Sequence, residues 1–108
     1  MDREESRRAA NELVLRQVNE AIERGLWPGE AAEPAAFRCE CASLDCSRML
    51  ELTPAGYESV RAHPRRFVVA PGHDHPEIDA IVEALPGYFV VEKRGEAGRL
   101  AQARDPRA

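Results

Sequence analysis

The chain holds three cysteines, all within eight positions, as Cys39-Glu40-Cys41-Ala42-Ser43-Leu44-Asp45-Cys46. Two of its three histidines follow in Pro71-Gly72-His73-Asp74-His75-Pro76. Thiolates this close together, with an imidazole downstream, are the donors of a tetrahedral metal site. Zinc takes four ligands from thiolate and imidazole, so Cys39, Cys41, Cys46 and one histidine close its shell. Such a site around a divalent ion carries about one net negative charge. Arg38 and Arg48 flank the cluster and are placed to offset that charge or to hydrogen-bond the sulfurs from outside the ligand set.

Each histidine has a different local setting. His73 lies just past Pro71-Gly72, where a strand runs out into a turn, and is the expected fourth ligand. His75 is held extended by Pro76 and is the alternative. His63 precedes Pro64 at a helix end, where a surface or dipole-capping role is expected.

Other chemistries use the same residues. A two-iron, two-sulfide cluster can be held by three cysteines and one histidine, and Cys39-x-Cys41 is similar to the opening of the CDGSH-type iron-sulfur motif. Cys46-Ser47-Arg48-Met49 departs from that motif by lacking its Asp-Gly and nearby histidine. Clustered thiolates beside arginines are also the raw material of a redox sensor, although metal-bound thiolates are the less reactive kind. A zinc enzyme with an open coordination position would use His73 or His75 as acid or base. No general base stands beside a nucleophile, and there is no glycine-rich phosphate loop or obvious carboxylate pair, so no catalytic residue is assigned.

The elements that position these residues follow from pattern. At 108 residues, with 44% hydrophobic and 31% charged, the chain has the size and composition of one folded domain. Mean hydropathy is -0.48, and no apolar run approaches the roughly 20 residues of a spanning helix. Met1-Asp2-Arg3-Glu4-Glu5 is not a signal peptide, so a cytoplasmic, reducing setting is expected, in which thiols bind metal rather than pair. Of the 15 basic residues only Lys93 is lysine, a skew that points to a GC-rich bacterium. A net charge of -4 argues against a general nucleic-acid binder. Arg61, Arg65 and Arg66, and Arg94, Arg99, Arg104 and Arg107, read as solvated surface.

Residues 3–24 are expected to form an amphipathic helix with Ala10, Leu13, Val14, Val18, Ala21 and Ile22 on one stripe and Leu15 off it. Asp2 and Glu5 suit a capping box, and Gly25 suits a stop. Trp27-Pro28-Gly29 forces a turn, and residues 30–36 read as a linker. Phe37 to Cys41 is extended, which puts Cys39 and Cys41 on one face. Met49 to Leu52 is a strand, Thr53-Pro54 starts a short helix that buries Tyr57 and Val60, and Phe67 to Ala70 is a strand. Pro86-Gly87 joins Ile78–Leu85 to Tyr88–Lys93 as a hairpin, with Ile78, Ala80 and Val82 alternating against the last strand. After Lys93 the chain reads as a frayed polar tail.

The expected fold is therefore α+β: a long N-terminal amphipathic helix, a zinc knuckle, a short helix and a small antiparallel sheet of three or four strands. The expected division is 1–25 helix, 26–36 linker, 37–93 zinc-binding domain and 94–108 tail. The helical stripe would pack on the sheet, or on a protein partner or second copy in a homodimer. With a structural zinc, the expected role is an interaction or regulatory module.

Phe37-x-Cys39-Glu40-Cys41-x4-Cys46, Leu52-Thr53-x3-Tyr57-x2-Val60-Arg61, Arg66-Phe67-x-Val69-x-Pro71-Gly72-His73 and Val90-Val91-Glu92-Lys93 together resemble a family of small bacterial proteins with no assigned activity. The likeness extends to Asn19-Glu20-Ala21-Ile22 and to Asp105-Pro106-Arg107. It implies a shared pattern rather than a function, and it favours His73 over His75, since Pro-Gly-His is the shared element.

Overall fold

Helical spacing from Glu12 through Arg16, Asn19, Glu20 and Glu23 makes one continuous face, and this polar face is the one the first helix buries. In the computed structural model, which describes residues 3–26, 32–41, 43 and 45–105, helix α1 spans Arg3–Leu26. Glu12, Arg16, Asn19, Glu20 and Glu23 are all less than 8% exposed, while Val14 is 54% and Val18 39% exposed. The apolar stripe expected to face the core is thus turned partly outward, and Leu15, expected off it, is buried. Leu13 and Ile22 remain in contact with the core. Hydropathy misplaces the face because long charged side chains bury readily when partners wait inside, and the partners lie far away in sequence.

The next elements are β1 (Ala35–Arg38) and β2 (Met49–Leu52), an antiparallel pair with Phe37 opposite Leu50. Helix α2 (Pro54–Arg61) follows at once, with the Thr53 hydroxyl accepting the Gly56 N–H at 2.9 Å and proline in the first turn. Strands β3 (Arg66–Val69), β4 (Asp79–Leu85) and β5 (Tyr88–Lys93) form an antiparallel sheet in the order β3-β5-β4. Pro86-Gly87 makes the tight β4–β5 turn, and Gly87 takes φ 94°, which only glycine adopts cheaply. The α+β expectation holds, with the strands divided between a two-stranded and a three-stranded sheet. Among the described residues no helix is long and apolar enough to cross a membrane. The Asp2 cap, the turn at Trp27-Pro28-Gly29, Ala42 and Leu44 of the knuckle turn, and Pro106-Arg107 lie outside the described residues.

Three expectations need correction. Alternation along β4 fails: Asp79 is buried, Ile81 and Val82 are exposed, and the register skips Val82 between the pairs Ile81–Val91 and Glu83–Val90. The irregularity takes Val82 out of the period-two pattern. The tail expected to fray is helix α3 (Gly95–Ala103), with Ala101 4% exposed. Gly98 serves packing: a Cβ there would sit 2.5 Å from the Lys93 carbonyl oxygen, so only glycine lets α3 close on the end of β5. Arg61, read as solvated, is 1% exposed.

Buried charge holds the helices to the sheets. The Arg61 guanidinium donates to Glu20 of α1 at 2.8 Å and to both oxygens of Asp105, beyond α3, at 2.9 and 3.1 Å. Arg16 donates to the carbonyls of Pro64 and Ala101 at 2.9 and 3.1 Å, and its guanidinium lies 4.4 Å over the Phe67 ring. Lys93 of β5 pairs with Glu12 of α1 and lies 2.8 Å from Asp79 of β4. Burial pushes the Glu12 carboxyl up to about 7 against the opposing pull of Lys93. Burial alone would lower Lys93, but the charges of Glu12 and Asp79 outweigh it and hold the ammonium above its ordinary value.

Two stability predictions follow from this packing. Val14→Ser and Val18→Ser are expected to change unfolding free energy by less than about 0.5 kcal/mol, because both side chains already face water. Arg61→Ala removes the buried cation that Glu20 and Asp105 share and is expected to cost about 3–5 kcal/mol in urea unfolding. The pH profile tests Glu12 separately. Its folded-state value lies above the ordinary 4.5, so its contribution is complete below that pH and is lost as pH rises through about 7. Urea unfolding at about pH 5 and about pH 7.5 should therefore show wild type losing more stability on going up than Glu12→Gln, which has no proton to release.

Candidate metal centre

Strand β1 does not stop at Arg38 in geometric terms. The Cys39 N–H donates to the Arg48 carbonyl at 3.0 Å, which extends the β1–β2 pairing by a rung. The Glu40 N–H then donates to the Val68 carbonyl at 2.7 Å, so the same segment crosses onto the free edge of β3. The extended backbone sends Cys39 and Cys41 to one side and Glu40 to the other.

Glu40 enters the core and is fully buried. Its carboxylate accepts from the Tyr57 hydroxyl at 2.6 Å, the Asn19 amide at 2.8 Å and the Val68 N–H at 2.9 Å. Burial raises its proton affinity, and these three hydrogen bonds oppose the rise. The Asn19 side chain also accepts the Arg38 N–H at 2.7 Å and donates to the Arg38 carbonyl at 2.9 Å, as a neighbouring strand would. Tyr57 is fixed in turn by stacking on Phe37, with ring centroids 4.9 Å apart. The knuckle is thus clamped by α1, α2 and β3 before any ligand is considered.

On the other side lie the donors. After β3 the chain turns at Pro71-Gly72, with Gly72 at φ 84°, and the His73 N–H donates to the Ala70 carbonyl at 2.9 Å. This turn brings His73 Nδ1 to 3.5 Å from Cys46 Sγ and 3.7 Å from Cys39 Sγ. The donor atoms of Cys39, Cys41, Cys46 and His73 all lie within 4.8 Å of one another. Sulfur at about 2.3 Å and nitrogen at about 2.0 Å from one ion, at the tetrahedral angle, stand roughly 3.5 Å apart. The two measured sulfur–nitrogen separations sit at or near that edge length. The Ala70 N–H donates to Cys39 Sγ at 3.1 Å, a contact from outside the ligand set that favours thiolate.

Cys39 and Cys41 are 2% and 1% exposed, whereas Cys46 and His73 are half-buried. The hydrogen bond from the Cys39 thiol, aided by His73, pulls Cys41 down to about 4 in spite of its burial. The same hydrogen bond, with burial, pushes Cys39 up. Two sulfurs this close titrate as a pair, and the shifts in opposite directions favour one thiolate beside one thiol.

The four residues brought together are the four named from sequence, and the other two histidines stand apart. His75 donates its backbone N–H to Asp79 and lines a cavity of about 600 Å³ with Arg8, Glu12 and Arg94. His63 lies in a second cavity beside Arg66 and Tyr88. Of the two roles expected of Arg38 and Arg48, hydrogen-bonding the sulfurs is not seen: among the described residues neither donates to a sulfur, and Arg38 Nε is buried without a partner. Sequence reasoning passed over Asn19 and Glu40. The available signal was Glu40 itself, since a residue between two same-face ligands on an extended segment must point away from them. No family model, curated protein or solved structure matches the chain.

Mutants separate donors from bystanders. Cys39→Ser, Cys41→Ser and His73→Ala are expected to lower retained metal, the cysteine variants most, while His63→Ala and His75→Ala keep wild-type content. Metal analysis of the purified single variants checks this. Loss of metal in His75→Ala with retention in His73→Ala would show that the fourth ligand is the wrong histidine.

Proposed function

We propose that Cys39, Cys41, Cys46 and His73 hold one zinc ion in a structural site, and that the domain so stabilised acts as an interaction or regulatory module. The observation that carries this reading is the convergence of three sulfurs and one imidazole nitrogen within 4.8 Å of one another, two of the sulfur–nitrogen separations, 3.5 and 3.7 Å, lying near a tetrahedral edge. A two-iron cluster divides its ligands between two metal atoms, so a set converging on one point favours a single ion. Thiolate with imidazole is a soft, nitrogen-containing shell that suits zinc rather than magnesium or calcium. For an interaction role, the outward side of α1, where Val14 and Val18 are exposed, offers the surface for a partner or a second copy.

The direct test is metal content and its effect on stability. Protein purified under reducing, chelator-free conditions is expected to contain about one zinc per chain, and a strong chelator is expected to lower the Tm markedly, since structural zinc can contribute on the order of 10 kcal/mol. A metal-free preparation with the same Tm as the zinc-treated sample would overturn the proposal.

A further inference from the structure

The four donors are not held equally. Cys39 has its main chain bonded to β2, its sulfur bonded to the Ala70 N–H and almost no exposure. Cys41 follows the fully buried Glu40 with its three hydrogen bonds and is 1% exposed itself. His73 is fixed by its N–H to the Ala70 carbonyl at the end of a core strand. Cys46 is half-buried, and its own N–H makes a long 3.3 Å bond to the Ser43 carbonyl within the same turn. Its neighbours Asp45, Ser47 and Arg48 are exposed. Three ligands are therefore tied to core strands by hydrogen bonds of their own or of an adjoining residue, whereas Cys46, half-buried against the core, has its N–H bonded only within its own turn.

We propose that Cys46 is the exchangeable ligand of this centre, and that a low-molecular-weight thiol can take its coordination position as thiolate. The proposal rests on the four-ligand metal reading and adds where the site opens and to what chemistry. In the exchange the sulfur–metal bond to Cys46 breaks, the bond to the incoming sulfur forms, and the incoming thiol's proton moves to the Cys46 sulfur. No oxidant or reductant is needed. Charge explains why Cys46 and not His73, also half-buried, is replaced. Thiolate for thiolate leaves the net charge of the centre unchanged, whereas thiolate for neutral imidazole adds a negative charge beside three others. The Arg48 side chain, exposed two residues on, adds local positive potential that favours an approaching thiolate. A metal reached in this way can exchange with a soft donor without unfolding the anchored half of its site.

Cobalt(II) serves as the probe, because sulfur-to-cobalt charge-transfer absorption reports the number of bound thiolates. Full-length Cys46→Gly is expected to bind cobalt at least ~10-fold more weakly than wild type and to return to within ~3-fold of it on addition of 2-mercaptoethanol, with the wild-type spectrum restored. Cys41→Gly, whose position is sealed from solvent, should gain nothing from the thiol. A second measurement does not depend on a variant folding: zinc release from wild type to a chromogenic chelator should accelerate in proportion to added thiol. Acceleration with protein concentration in the absence of added thiol would identify another chain's cysteine as the incoming donor and overturn the small-thiol assignment. Equal rescue of both variants, rescue of neither, or a release rate indifferent to thiol also overturns it. Wild-type protein that takes up no cobalt refutes the metal reading itself, which keeps the two failures distinct.

Discussion

Three consecutive residues of extended backbone must alternate sides, and in this protein the alternation at Cys39-Glu40-Cys41 sets two sulfurs against one carboxylate across a single segment. The sulfurs face Cys46 and His73 and the carboxylate faces the opposite side, where Tyr57, Asn19 and Val68 receive it. A one-residue slip would expel Glu40 from its three donors and bury both cysteines away from His73. The register of the β1–β2 pair, the seat of α1 and the distance from knuckle to His73 all depend on this one arrangement. An unpaired carboxylate in the core would be costly, so the fold admits Glu40 only with its donors in place.

The helices extend the same principle. Buried charged side chains tie the three helices to one another and to the three-stranded sheet: Glu12 of α1 pairs with Lys93 of β5, Arg16 of α1 donates to the carbonyls of Pro64 and of Ala101 in α3, and Arg61 of α2 joins Glu20 of α1 to Asp105 beyond α3. Such pairs add little net stability over an apolar substitute of the same shape, because both members lose water. They discriminate strongly between arrangements, since any other docking of α1 leaves several charges buried and alone. In a chain of 108 residues with 31% charged positions, the apolar area alone would permit several helix orientations. The buried ions select among them.

What could be read in the sequence was what depends on neighbours in the chain. Thr53-Pro54 announced α2, Pro86-Gly87 announced the hairpin, and the i, i+2 spacing of Cys39 and Cys41 announced two ligands on one face. A strand followed by a turn pointed to His73, with His75 left as the alternative that the shared Pro-Gly-His pattern disfavoured. What could not be read was set by distant residues. Arg61 looks like surface until Asp105, 44 positions on, is known to return to it. Val14 looks like core until Arg16, Asn19 and Glu20 are seen to hold the other face. Gly98 of α3 looks like part of a frayed tail until the Lys93 carbonyl is found where a side chain would have been. In each case hydropathy ranks the residue alone, whereas the free energy belongs to a pair.

The clamp on Glu40 also changes what a metal ion has to do. Bringing Cys39 and His73 together closes a separation of 34 residues, an entropic cost that in many small metal domains falls on the ion. Here the Glu40–Val68 bonds already close 28 of those residues, and the Ala70 N–H on Cys39 Sγ closes 31. The ion therefore gains little from loop closure, and its stabilising effect comes from binding the folded state and not the unfolded one. The donor with the weakest main-chain hold is Cys46, whose N–H bonds within its own turn although its sulfur already lies 3.5 Å from His73 Nδ1. Stability and exchange are then separate properties of one site: the anchored trio fixes where the ion sits, and the fourth sulfur governs how readily it leaves.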